Sequence, residues 1–197
     1  MASKSSEAPQ SAAAARRNSI LDAAIKEFGR HGYRKTSIED LAAAADISKQ
    51  GLYLHFAGKK EVFQASMQKY LVDCMALVDK ALGRFDLSLV DRLTAALDAW
   101  FGRHLATFSP ASFDVIVTGD QLFPAAIEEF KGEFVKRIAG ALAASPEFTA
   151  SGANRSAKEV AQVLFLCGLT WKEGSPSLRE FSERLRLCVR VCCHVKK

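Results

Sequence analysis

Proline is scarce in this chain of 197 residues, with five in all, and the apolar-polar alternation of half-buried strands is missing. Set beside long stretches of 3.6-residue period, these absences argue against a β architecture and predict an all-α fold. No apolar run approaches the roughly 20 residues that a membrane helix requires. No apolar segment follows Lys4 to form a signal peptide, so the protein is expected in the cytoplasm with no membrane partner. The five cysteines, Cys74, Cys167, Cys188, Cys192 and Cys193, are odd in number and lack the spacing of a secreted framework. Reduced thiols in a helical core are expected. Cys192-Cys193-His194 suggests a metal cluster, but neighbours on a helix point about 100° apart and no ligand quartet stands elsewhere. Neither a metal site nor a cofactor is expected. His31, His55, His104 and His194 are scattered, and Glu128-Glu129 are adjacent rather than on one face. With no acid-base pair or nucleophile arrangement to name, an enzyme is not expected.

What is present is a chain 49% hydrophobic with a net charge of +5, which fits a globular protein and raises the weight of an anionic partner. The placement of charge is more informative than its sum. Between Thr36 and Phe56 the chain holds two helix starts and one tight turn. Thr36 and Glu39 have capping-box spacing, and Ile38, Leu41, Ala42 and Ala45 form an apolar stripe. Asp46 stands where the chain leaves the helix, and Asp tolerates the left-handed conformation. Ser48 is a second cap, with Ile47 and Leu52 at the positions of a hydrophobic staple. Leu52 and Phe56, four apart, pack inward and leave Lys49, Gln50, Gly51, Tyr53 and His55 on the other faces. A helix-turn-helix is predicted, its second helix sized for the major groove of DNA.

Gln50 is the expected base reader, because its amide can make a paired hydrogen bond to an adenine edge. Lys49 reads guanine or neutralises phosphate, and Gly51 allows close approach. After Phe56, Ala57-Gly58-Lys59-Lys60 opens a new helix whose free N–H groups and lysines suit a phosphate. Thr36, Ser48, Lys49, Gln50, Gly51, Tyr53, His55, Lys59 and Lys60 are therefore the expected DNA contacts.

Read in order, Phe28-Gly-x-x-Gly-Tyr33, Thr36, Ile38, Leu41-Ala42, Ile47-Ser48, Gly51-Leu-Tyr53, His55-Phe56 and Lys59 resemble the DNA-binding domain of tetracycline-repressor-type (TetR/AcrR) regulators. The resemblance implies phosphate contacts by Tyr53 and His55, a homodimer, a palindromic double-stranded DNA operator and a small-molecule effector that releases a repressor from it. Two positions depart from the family pattern. Asp46 replaces the usual turn glycine, and Gly51 replaces a small hydroxyl residue or alanine.

Residues 1–15 hold few large apolar groups and are expected to form a flexible arm. Arg16 and Arg17 follow it, placed either to reach phosphates or simply to begin a solvated helix. The helix-turn-helix domain is assigned to residues 16–62. From Lys59 a helical period continues through Val62, Phe63, Met67, Leu71, Met75 and Val78 to about Leu82. This long helix is expected to join the DNA domain to a larger helical effector-binding and dimerisation domain, residues 63–197. There, Leu89 to Phe108 reads as one bulky helix, Ile127 to Leu142 as another, and residues 147–154 as a loop.

Two final helices follow, about 156–172 and 177–194. One face of the first carries Val160, Val163, Leu164, Cys167, Gly168 and Trp171. One face of the second carries Leu178, Phe181, Leu185, Cys188, Val189 and Cys192. Two copies of such a hairpin would form a four-helix dimer interface, although packing against the chain's own core gives the same periodicity. Met67, Leu71, Trp100, His104, Phe130, Phe134 and Phe165 are expected to line the effector pocket, with His104 as a polar anchor, or else to be plain core. The cysteines leave a thiol-based redox sensor as an alternative regulator.

Overall fold

The computed structural model describes residues 7–108, 113–149, 156–174 and 177–193, and the regular structure in them is helical. Helix α1 (Glu7–His31) begins nine residues before the expected start at Arg16, because the run Ala12–Ala15 favours helix more strongly than its polarity suggests. It ends at Gly32, whose φ of 87° reverses the chain. Helices α2 (Ile38–Ala44), α3 (Lys49–Tyr53) and α4 (Lys59–Leu82) follow. Next come α5 (Leu89–Leu97), a π-helical turn (Asp98–Gly102) and α6 (Arg103–Thr107), where a single helix was expected. The remaining elements are α7 (Phe113–Leu122), α8 (Pro124–Ala143), the short α9 (Pro146–Thr149), α10 (Ala157–Gly174) and α11 (Leu178–Cys193). Most of the expected 147–154 loop, together with His194, lies outside the described residues.

The chain divides into two compact units. The first comprises residues up to Leu71 together with Thr107–Pro124, and the second Val72–Ala106 together with residues from Ala125 onward. The division thus differs from the expected boundary after residue 62: the beginning of α4 and the distant segment 107–124 pack with the helix-turn-helix. In the first unit Ile20, Ala24, Phe28, Leu41, Leu52, Phe56, Val62 and Phe63 are buried. Phe63 is the hub of the ring contacts, 5.0 Å from Phe28, 4.7 Å from Tyr33 and 5.6 Å from Phe123 between centroids.

In the second unit, α5, α8, α10 and α11 enclose a core that includes Leu93, Leu97, Phe101, Phe134, Ile138, Leu164, Phe181, Leu185 and Val189. This placement puts most of the residues expected at a dimer interface in the chain's own core. Val160, Leu164, Gly168, Phe181, Leu185, Cys188 and Val189 face inward, and Cys167 and Cys192 are half-buried beside them. The side chain of Trp171 lies outside the described residues. The bulkier apolar stripe of each helix is consumed by the chain's own core, where α11 packs on α5 and α10. Among the described residues of the expected faces, Val163 and Leu178 alone are exposed.

The aromatic effector residues are also largely core. Phe134 is fully buried, with its ring stacked on Trp100 at 4.9 Å and set 6.0 Å from Phe165. These rings fill one another's space rather than line a cavity. Met67 and Leu71 belong to the first unit and the other five residues to the second, so no single pocket of either unit holds all seven. Phe165 alone lines an open groove of about 800 Å³ between α8 and α10, with Val135, Ala139 and Leu166 as its apolar wall and Lys131, Lys136 and Lys158 among its polar residues.

The Cys188 and Cys192 sulfurs lie 3.9 Å apart. Contact with Cys192, then burial, then Cys167 push the Cys188 thiol well above its ordinary range and keep it in the neutral, weakly reactive form. Asp98, which opens the π-helical turn, is pushed upward by burial against the opposing effect of the Ser182 hydroxyl, which donates to it at 2.8 Å.

The closest approach in this core is at Gly168, where a Cβ would come within 2.2 Å of Cε2 of Phe101. Gly168→Ala is therefore expected to destabilise the protein by about 1–3 kcal/mol, as overpacking does. Thermal or urea unfolding of the variant beside the wild type checks this.

Candidate nucleic-acid interface

Helix α2 starts one residue later than its capping pattern suggested. Ser37 adopts an extended backbone (φ −97°, ψ 169°) and its hydroxyl accepts the Asp40 N–H at 3.1 Å. The Asp40 carboxylate returns to the Ser37 N–H at 2.8 Å. The Ser37 hydroxyl, then its N–H, hold that carboxyl below the usual aspartate range. Thr36 is instead 2% exposed, and its hydroxyl donates to Gly32 O at 2.7 Å. The cap expected of Thr36 is therefore corrected, and its buried hydroxyl is spent inside the α1–α2 connection. Ser37 and Asp40 have the same spacing as Thr36 and Glu39, so the signal was in the sequence one residue further on.

The turn between α2 and α3 passes through Asp46 at φ 53°, the one non-glycine residue with positive φ among those described. Arg16 donates from Nη2 to Asp46 O at 3.2 Å, and the Arg17 guanidinium sits 4.4 Å from the centre of the Phe56 ring. These two arginines, open between phosphate contact and a solvated helix start, lie against the turn and the end of the motif. Ser48 caps α3, its hydroxyl accepting the Gly51 N–H at 3.0 Å.

Helix α3 has one buried side and one open side. Leu52 and Phe56 are buried, whereas Lys49, Gln50 and Tyr53 are exposed and Gly51 and His55 half-buried. The helical spacing continues past its last residue, since Leu54 N–H donates to Gln50 O at 3.2 Å and Phe56 N–H to Leu52 O at 3.1 Å. Lys49 forms an ion pair with Glu39 of α2. Each partner's hydrogen bond shifts the other, raising the lysine and lowering the glutamate.

Lys59 does not stand free at the start of α4. Its ammonium donates to Tyr33 O at 3.0 Å and Thr36 O at 3.1 Å, and lies 4.5 Å from the centre of the Tyr33 ring. Two backbone carbonyls and an aromatic face thus already surround the charge of the lysine expected at a phosphate. Lys60 is exposed. The opposite flank of the same loop is held by Asp114 of α7, whose carboxylate accepts the Tyr33 N–H at 3.2 Å and the Arg34 N–H at 2.9 Å. Gly32 allows this approach, since a Cβ there would meet the Asp114 carboxylate at 2.3 Å. Nothing in the local sequence pairs residues 80 apart, and Asp114 was missed for that reason.

Comparison with known proteins accords with this geometry. Residues 20–66 match the family model described as "Bacterial regulatory proteins, tetR family". The chain is 35% identical over 86 residues to the HTH-type transcriptional activator FasR of Mycolicibacterium smegmatis, covering 44% of this chain and 39% of that protein. It is 36% identical over 52 residues to the negative transcriptional regulator IcaR of the biofilm operon of Staphylococcus aureus, covering 26% and 28%. The matched region thus spans well under two thirds of these curated relatives. A solved TetR-like transcriptional regulator from Rhodococcus shares the fold with a TM-score of 0.64 at 24% identity, over 90% of this chain and 96% of that one. A TetR-family structure from Mesorhizobium loti does so at 0.69 and 16%, over 92% and 96%.

Replacing Asp114 with alanine leaves two loop N–H groups without this acceptor, at an expected cost of about 1–3 kcal/mol. Faster amide hydrogen exchange at Tyr33 and Arg34, together with a lower unfolding midpoint, is the outcome that checks it.

Proposed function

From the match of residues 20–66 to the family model of bacterial tetR regulatory proteins, we propose that the chain is a homodimeric transcriptional repressor of that family, released from a palindromic operator by a small-molecule effector. The observation that carries this reading is the two-sided α3: a buried back of Leu52 and Phe56, and an open front with Gln50 and Tyr53. Gln50 reads an adenine edge, Tyr53 and His55 meet phosphates, and Ser48, Lys49, Gly51 and Lys60 complete the contact. Thr36 and Lys59 act from behind by fixing the loop before α2.

The dimer uses the apolar surface that α10 and α11 leave uncovered: Val163 and Leu166 on the first, Leu187 and Val191 on the second. Leu166 and Leu187 are each 59% exposed, an apolar area that a second copy across a two-fold axis would bury. The effector acts by population shift, binding better to a conformation unsuited to the operator. The groove between α8 and α10 offers it an apolar wall and lysine side chains. No helix among the described residues is long and apolar enough to cross a membrane, in keeping with a regulator that works in the cytoplasm.

Selection from a random duplex library should yield a sequence with two inverted half-sites about 34–36 Å apart, one turn of duplex. In gel shifts on that duplex, Gln50→Ala with Tyr53→Ala should weaken binding about tenfold or more, the scale of one lost base contact. An undiminished shift would overturn the assignment of α3 as the reading helix.

Leu166→Glu with Leu187→Glu places charge on the proposed interface without touching the core. Sedimentation should then report monomers with an unchanged helical spectrum; persistence of dimers would move the interface elsewhere.

A further inference from the structure

The most exposed large apolar residue described is Leu54, 85% exposed, directly after α3. It is not a stray loop residue. Its backbone retains helical geometry (φ −68°, ψ −22°) and its N–H donates to Gln50 O, so Gln50, Tyr53 and Leu54 stand at i, i+3 and i+4 and share one face. Leu52 and Phe56, at the alternate positions, are buried. The open face therefore combines an amide, a phenol that is 48% exposed and a branched aliphatic tip. Arg34, Lys35 and Lys60 are exposed on the same unit, giving it cations suited to a polyanion.

We infer that Leu54 is a specificity determinant that packs on a thymine 5-methyl group in the major groove, beside the base read by Gln50. Among the base edges displayed there, only thymine offers an apolar group. A side chain with no donor or acceptor gains nothing from the other edges and leaves their polar groups unsatisfied. The inference rests on the DNA-binding reading above and adds a base preference to it.

The test uses the full chain and its selected operator duplex, with each thymine of a half-site replaced in turn by deoxyuridine, which removes only the methyl. Binding is measured by fluorescence anisotropy at fixed salt for the wild type and Leu54→Ala. One replacement per half-site should weaken the wild type about fourfold, the factor for one buried methyl-sized group. The same replacement should leave Leu54→Ala unchanged. Equal losses in both proteins at every position, or no loss in either, would overturn the role of Leu54 while leaving operator binding intact. Failure to select any sequence would overturn the DNA-binding reading and this inference with it.

Discussion

The ammonium of Lys59 holds the helix-turn-helix in register. It sits between the carbonyls of Tyr33 and Thr36, the two residues on either side of the short stretch that reverses α1 into α2. A lysine at the first position of α4 thereby fixes the loop that launches α2, and α2 in turn sets the origin of α3. The surroundings act on the same few residues. Asp114 binds the outward N–H groups of Tyr33 and Arg34, Thr36 closes onto Gly32 O, and Phe63, one helical turn after Lys59, packs on Tyr33 and Phe28. Carbonyls are satisfied from one side by a cation and amides from the other by a carboxylate, so the loop has little freedom left to misalign the helices that follow.

The local architecture of this motif was legible because it is written in short-range rules. Asp46 adopts the left-handed backbone expected of it, and Ser48 caps α3. What could not be read is the partner chosen by each long polar side chain. Lysines near a helix start look alike in sequence whether they face phosphate or a backbone carbonyl, and Thr36 differs from Ser37 only in which neighbour's rotation leaves it outside. The contribution of residues 107–124 was invisible for a related reason: no periodicity in α7 records that Asp114 ends beside Gly32.

In the second unit the difficulty was of another kind. Helices α10 and α11 carry two apolar stripes each, one broad and one narrow. The broad stripe, with Leu164, Phe181, Leu185 and Val189, attracts attention because it has the higher apolar content, but a chain this size must first cover its own core. The narrow stripe of Val163, Leu166, Leu187 and Val191 is interrupted by polar neighbours and is what remains uncovered. Periodicity ranks faces by hydrophobicity; it does not say which is covered from within. The same logic explains the aromatic residues, since Phe134 meets both Trp100 and Phe165, and of these three Phe165 lines the groove.

The ion pair between Lys49 and Glu39 makes the charge of Lys49 a shared one. A phosphate can take the lysine only by leaving Glu39 a bare carboxylate beside a polyanion, so the net electrostatic gain from Lys49 is smaller than that of an unpaired lysine. The pair lowers affinity at a given salt concentration, while the salt slope still counts the counter-ion that the phosphate releases.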